Sequence, residues 1–207
     1  MSIIEDGKFM FHVLLHPFDG FYHVINHRKK TYFLPTLILL LVGIVGVLSY
    51  QYTGFILNTF PVHYINSVTI FITTLFPIVL FLISNWSITT LFDGNGSIGD
   101  IFIVMSYALV PKLLFDISGI LLSNVVTMEE APLLNAFTMI GTVWFCFLLF
   151  CGLCVVHEYT ALTNVLTLIA TFIAAIIIIF LAMLYFTLIG KVIGFAYSAF
   201  SEMTKRW

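Results

Sequence analysis

Residues 165–190, which read VLTLIATFIAAIIIIFLAMLYFTLIG, contain no charged side chain. As a helix rising about 1.5 Å per residue, this stretch is about 39 Å long and can cross the ~30 Å hydrocarbon core of a bilayer. Four other stretches share its apolar character and come close to the length of a span or exceed it: 33–50, 68–91, 101–122 and 137–156. We therefore predict an all-α, polytopic membrane protein whose five transmembrane helices form one bundle.

The composition supports this fold class. The 207 residues are 61% hydrophobic and 9% charged, with a mean hydropathy of +1.11. A water-soluble domain with these proportions would expose large apolar patches, which excludes that class. We expect one membrane domain at 33–190, with an amphipathic segment at 1–32 before it and an interfacial segment at 191–207 after it.

A short amphipathic helix is predicted before the first span. Pro17 suits the first position of a helix, and apolar residues follow it at helical spacing: Phe18, Phe21, Tyr22 and Ile25. A helix on the membrane surface would place these side chains in lipid. A plain linker to the first span is the alternative.

The last apolar region is long enough to hold either one span or two. Residues 165–189 contain no Gly or Pro that would form a turn between two spans. We therefore expect one fifth span that ends near Gly190 and a second interfacial segment after it.

The positions of Lys and Arg predict the orientation in the membrane. Lys8, Arg28, Lys29 and Lys30 precede the first span. The connections between spans contain no Lys or Arg: 51–67, 92–100, 123–136 and 157–164. By the positive-inside rule the N-terminus lies in the cytoplasm, and five crossings place the C-terminus outside.

The connection at 92–100, FDGNGSIGD, is the densest polar feature of the chain. Because glycine tolerates positive φ, Gly94 and Gly96 are expected to form a tight turn, and Asp100 can cap the helix that follows. Asp93 and Asp100 around the glycines also suggest a cation or ligand site, although the spacing lacks the ligands of a calcium loop. A structural hairpin and a ligand site are both open.

Lys112 and Asp116 are the only charged pair within a predicted span, and they lie one helical turn apart. Ionisable groups at such depth usually face a bundle interior or a water-filled cavity. This makes the pair the leading candidate for a functional polar site. The alternative is that both residues lie close enough to the outer interface for Lys112 to extend to water.

His157 and Glu158 end the fourth predicted span. A helical zinc-protease motif needs a second histidine, so we expect these two residues to anchor the helix at the interface. Asp93 and Asp100 are predicted to lie on the same side of the membrane. The four residues could therefore form the site of an intramembrane hydrolase, which is an alternative.

Metal, cofactor and nucleic-acid sites are not expected. The pairs His12/His16 and His23/His27 have the spacing of one helix face, but no third ligand accompanies either pair. The chain also has no basic stripe of the kind that binds nucleic acid.

Several short motifs spread along the chain point to one family. They are HPFDGF at 16–21, NW at 85–86, TLFDG at 90–94, GS at 96–97, Asp100, SYALVP at 106–111 and SEM at 201–203. These motifs resemble those of the Yip1-domain proteins, and more specifically those of the bacterial branch. The most specific part is 85–111, where Tyr107 and Pro111 are further candidate functional residues.

The resemblance implies a five-helix membrane domain with a cytoplasmic N-terminus, in agreement with the charge distribution, and a location in the bacterial plasma membrane. Eukaryotic relatives bind Rab-type GTPases and act in vesicle traffic. They carry a long cytosolic N-terminal region that has no counterpart in this sequence, so we expect that role not to carry over. Some bacterial members are associated with ABC transporters as accessory or assembly proteins.

Three functions are compatible with the sequence. The leading hypothesis is a non-enzymatic integral membrane protein, surrounded by the lipid bilayer, that assembles with or regulates another membrane complex. The resemblance suggests ABC transporter subunits as the partner. The alternatives are a small transporter or channel that uses Lys112 and Asp116, and an intramembrane hydrolase.

Overall fold

The structure, a computed structural model, describes residues 10, 12–26, 31–58, 66–92 and 94–205. These residues are largely helical and contain no strand, which confirms the all-α prediction. In chain order the helices are α1 Pro17–Asn26, α2 Phe33–Tyr52, α3 Ser67–Thr89, α4 Ile98–Leu122, α5 Ala131–His157 and α6 Ala161–Lys205. A short 3₁₀ turn, Met128–Glu130, precedes α5.

Helices α2 to α6 are each long and apolar enough to cross a membrane, so the described residues include the five predicted spans. Three of these helices begin three or more residues earlier than expected: α4 at Ile98, α5 at Ala131 and α6 at Ala161. The first two have a visible cause. The reason is local: Ser97 caps α4, and Pro132 lies in the first turn of α5. Such residues lower the mean hydropathy at the start of a helix. The helix therefore begins before the apolar run that was used to predict it.

Helix α6 is one continuous helix of 45 residues and does not break near Gly190, contrary to our expectation. Gly190 and Gly194 both lie within it, and apart from the adjacent backbone of α6 no atom lies within 4 Å of the position that a Cβ would take at either residue. Glycine lowers helix propensity by about 1 kcal/mol relative to alanine but keeps its backbone hydrogen bonds, so it does not by itself end a helix. The region at 165–200 therefore contains no turn between two spans, and Val192 to Lys205 continue α6.

Helix α4 is the centre of the bundle. From Asp100 to Pro111, every side chain except that of Phe102 is buried. α4 packs mainly against α5 and α2, and less extensively against α3. It is therefore the span with the least contact with the surrounding medium in this half of its length.

Glycines allow α4 and α5 to approach each other closely. A Cβ at Gly152 of α5 would lie 2.4 Å from Cγ1 of Val104, and a Cβ at Gly141 would lie 2.6 Å from Cβ of Phe115. Small residues at helix contacts are typical of membrane bundles, because close backbone approach increases the van der Waals contact between helices. These glycines therefore fix the distance between the two helices.

Helix α1 begins at Pro17, as predicted, and packs against α5. The ring of Phe21 is fully buried and would lie 3.1 Å from a Cβ at Gly152. Phe18 and Tyr22, on the other face, are exposed. The helix is thus amphipathic, with one apolar face used for packing on the bundle and further apolar side chains left at its surface.

The connections between spans lie at two opposite ends of the bundle. At one end the backbone N–H of Gly54 donates a hydrogen bond to Oγ of Ser123 at 2.8 Å. At the other end Nδ2 of Asn95 donates to Oε2 of Glu158 at 3.2 Å. The first and third connections therefore meet at one end, and the second and fourth meet at the other, as alternating crossings require.

Candidate functional site

The predicted candidate residues fall into two groups in space. The first, called here the loop cluster, comprises residues 94–100 and 157–159 at one end of the bundle. The second, called here the ion-pair cavity, surrounds Lys112 and Asp116 inside it. The loop cluster contains Gly94, Gly96, Asp100, His157 and Glu158, whereas Tyr107 and Pro111 are buried within α4 and belong to its packing. Asp93 lies outside the described residues.

The loop leads into α4 through a capping box. Ser97 is the N-cap residue, and its Oγ accepts a hydrogen bond from the backbone N–H of Asp100 at 3.3 Å. Oδ2 of Asp100 accepts in return from the N–H of Ser97 at 3.1 Å and from its hydroxyl at 2.6 Å. We expected Asp100 to be the cap of α4. Instead Ser97 is the cap, and Asp100 supports it from the third helical position.

Hydrogen bonds connect this loop to the end of α5. The backbone N–H of Gly96 donates to Nδ1 of His157 at 3.3 Å, and Asn95 bonds to Glu158 as described above. The ring of Tyr159 stacks on His157, with 5.2 Å between centroids. His157 is buried, and its Nε2 has no hydrogen-bond partner among the described residues.

Gly94 and Gly96 are required by space and not by backbone conformation. No described glycine has a positive φ, so the expected reason for these two residues is wrong. A Cβ at Gly96 would lie 2.2 Å from Cγ1 of Val156. A Cβ at Gly94 would lie 2.7 Å from Nδ1 of His157 and 2.7 Å from the hydroxyl oxygen of Tyr159. The loop backbone thus approaches the end of α5 at a distance that only glycine permits.

Glu158 ends α5 in the left-handed conformation, with φ 56° and ψ 32°. It is the one non-glycine residue with a positive φ in the described part of the chain. The backbone N–H groups of Glu158 and Tyr159 both donate to the carbonyl of Cys154, an arrangement that usually has glycine at this position. A glutamate held there costs roughly 1 kcal/mol or more, and strain of this kind is concentrated at functional positions.

A row of buried, hydrogen-bonded polar side chains connects α3 to α6. It was not predicted from the sequence. Nδ2 of Asn85 donates to Oγ1 of Thr171 at 3.1 Å. The hydroxyls of Thr171 and Thr167 donate along α6, and Nδ2 of Asn164 donates to the carbonyl of Phe150 in α5 at 3.0 Å. A signal was present, because Asn164, Thr167 and Thr171 have the spacing of one helix face within an apolar helix.

Lys112 and Asp116 form an ion pair inside the bundle. Their Nζ and Oδ2 atoms lie 2.6 Å apart, and the side chains are 34% and 30% exposed. Both line a cavity of about 740 Å³ between α2, α4 and α5, with walls completed by α3 and α6. The structure therefore favours the interpretation of the pair as an inward-facing polar site, in which Lys112 bonds to Asp116.

The histidines near the N-terminus contact an aspartate. Nε2 of His12 lies 3.1 Å from Oδ2 of Asp19, and this hydrogen bond lowers the pKa of the Asp19 carboxyl. The rings of His12 and His16 stack at 5.1 Å. Among the described residues no group of three or more His, Cys, Asp or Glu side chains could hold a metal ion. His27 lies outside those residues.

Comparison with known proteins gives one match. The sequence profile of the Yip1 domain family matches residues 11–184, which include α1 to α5, both polar sites and the first half of α6. Neither a curated protein nor a solved structure matches the chain.

The contact between the loop and α5 predicts the effect of adding a side chain at Gly96. Gly96→Val would place atoms within the van der Waals radius of Val156, so we expect it to lower the unfolding free energy by about 2 kcal/mol. Thermal unfolding of the purified protein in mild detergent would measure this loss. Gly190→Val is the matched control, because no atom lies near that position. Equal unfolding temperatures for the two variants would contradict the described contact.

The ion pair predicts energetic coupling between Lys112 and Asp116. Lys112→Met and Asp116→Leu each leave one charge without its partner inside the bundle, whereas the double variant removes both charges. We expect each single variant to be less stable than the double variant, with a coupling free energy of about 1 kcal/mol or more. Unfolding of all four proteins in the same detergent gives the coupling. Additive losses would show that water screens the pair.

Proposed function

The chain belongs to the Yip1 domain family, and on that premise we propose that it acts by binding another integral membrane protein, without catalysing a reaction. A subunit of an ABC transporter is the partner that the sequence resemblance suggests. We also propose the bacterial plasma membrane as its location, with the N-terminus in the cytoplasm because the basic residues at 28–30 precede the first span.

The observation that supports a protein partner is the length of α6. Its 45 residues correspond to about 67 Å of helix, roughly twice the hydrocarbon thickness of a bilayer. The helix starts at the loop-cluster end and makes one crossing, so its last part extends beyond the hydrocarbon at the Ser123 end. That part is apolar and exposed: Phe195, Tyr197 and Phe200 are 76%, 76% and 71% exposed.

Lipid chains cover the part of α6 that lies within the bilayer, but they do not cover apolar side chains beyond it. A group of large apolar side chains exposed to water is a typical sign of an interaction site. A partner protein with its own transmembrane helices and a part outside the bilayer would cover α6 both within the bilayer and beyond it. Gly190 and Gly194 lie on one face of this part of α6 together with Tyr197, at the four-residue spacing of close helix contacts in membranes, and we propose this face as the contact.

The hydrogen bonds of the loop cluster support a binding role over hydrolysis. Asp100 holds the start of α4 through Ser97, and His157 accepts from the backbone of Gly96. These groups serve to fix the loop, which leaves the hydrolase as the weaker hypothesis.

Transport remains the second candidate function, because the ion pair of Lys112 and Asp116 lines a cavity between the spans. Substrate-dependent flux into vesicles containing the isolated protein would favour it.

The proposed contact predicts that bulk at Gly194 blocks partner binding. Gly194→Leu would fill the space that a partner helix needs, and we expect recovery of the co-purified membrane protein to fall about tenfold at matched expression. Quantitative mass spectrometry after purification in mild detergent gives the ratio of partner to bait.

Ala196→Leu is the matched control for this experiment. It adds similar bulk to an exposed position about 200° around the same helix, so recovery should not change. Equal recovery with both variants would remove this face of α6 from the contact. The absence of a stoichiometric partner from the wild-type protein would contradict the proposed function.

A further inference from the structure

We propose that the ion-pair cavity binds one phospholipid molecule with a zwitterionic, ethanolamine-type head group. The phosphate would contact Nζ of Lys112, and the primary ammonium would contact the carboxylate of Asp116. This inference uses a different surface from the contact of α6 with a partner protein, and neither depends on the other.

The depth of the pair requires a polar occupant. Lys112 lies ten residues before the end of α4 at Leu122, about 15 Å along the helix, and Asp116 lies about 9 Å from that end. With α4 centred on a hydrocarbon core of about 30 Å, both charges lie within that core. Charged groups at this depth are strongly disfavoured against hydrocarbon chains unless water or a polar group solvates them.

The pair retains hydrogen-bonding capacity toward the cavity. The bond from Lys112 to Asp116 uses one of the three N–H donors of the ammonium group and one carboxylate oxygen. About a third of each side chain is exposed. A ligand in the cavity therefore encounters a donor group and an acceptor group next to each other.

This arrangement favours a zwitterion over a ligand with a single charge. An anion near Lys112 would be repelled by the carboxylate of Asp116, and a cation near Asp116 would be repelled by Lys112. A head group with both charges has a favourable contact with each residue. A primary ammonium also donates hydrogen bonds to a carboxylate, whereas a quaternary ammonium has no N–H to donate.

The walls of the cavity fit a lipid. A volume of about 740 Å³ is within the range of roughly 300–1,000 Å³ for ligand sites, enough to hold part of an acyl chain beside the head group. Val42, Val45 and Phe81 form part of an apolar wall. Toward the Ser123 end the lining also contains hydroxyl and amide groups, those of Thr53 and Asn135 among them. These side chains would contact a polar head group at that end of the cavity.

Native mass spectrometry of the full chain, purified in mild detergent, tests the proposal directly. The added probes are dioleoyl phosphatidylethanolamine, phosphatidylcholine and phosphatidylglycerol. We expect one bound phosphatidylethanolamine, preferred about tenfold over the other two lipids. Equal retention of the three lipids, a preference for the anionic lipid, or no retained lipid would each overturn the proposal.

Variants assign the preference to the pair. Lys112→Met and Asp116→Leu should each reduce phosphatidylethanolamine retention about tenfold. The double variant keeps the net charge and tests the same point if a single variant does not fold. Lys191→Met, at an exposed position of α6, makes the same charge change outside the cavity and should leave retention unchanged. A preference that persists in the double variant would place the lipid elsewhere and overturn the proposal.

Discussion

The close contact of α4 with α5 is the interaction on which the rest of the structure depends. In a bilayer the lipid chains are as apolar as the helix surfaces, so helices associate through van der Waals contact and hydrogen bonds. Three glycines permit that contact along the pair, and a Cβ at Gly119, Gly141 or Gly152 would lie 2.6 Å or less from a side-chain atom of the other helix. The other spans then pack around a central helix whose position is fixed.

The polar sites follow from this arrangement. Because α4 and α5 are close at the loop-cluster end, the loop before α4 must pass the end of α5 with almost no space, and Gly94 and Gly96 occupy those positions. His157 and Glu158 then bond to the loop from the end of α5. Farther along α4, the same helices and α2 line a partly open cavity, and Lys112 and Asp116 face it. The loop is thus packed tightly against one end of the α4–α5 pair, whereas a cavity lies beside the middle of the pair.

Helix α6 differs from the other spans. It contacts α3 through Asn85 and Thr171, and α5 through Asn164, so hydrogen bonds hold about its first quarter in place. Beyond Thr171 most of its side chains are exposed. The part of the protein with the least internal packing is therefore the part that we propose for binding a partner.

The number and type of spans could be predicted from the sequence, because runs of apolar residues of this length have few other structures available to them. The ion pair could be predicted too, since Lys112 and Asp116 are four residues apart in a helix. The continuity of α6 could not be, because a glycine within a helix and a glycine after one look the same in the sequence. The role of Gly96 was also hidden, since its neighbour Val156 is distant in the chain and the required space depends on tertiary packing. The left-handed Glu158 had no sequence signal, as glutamate is not typical of that position.

The sidedness of three single cysteines tests the five-span bundle most directly. Leu91→Cys, Val125→Cys and Met203→Cys each replace an exposed side chain, in a protein whose Cys146, Cys151 and Cys154 are first changed to serine. Intact cells and opened membranes would be treated with a membrane-impermeant maleimide. We predict that position 91 reacts from one side of the membrane, the cytoplasmic one, and that positions 125 and 203 both react from the other. Labelling of positions 91 and 203 from the same side would contradict a single crossing by α6 and, with it, the five-span bundle.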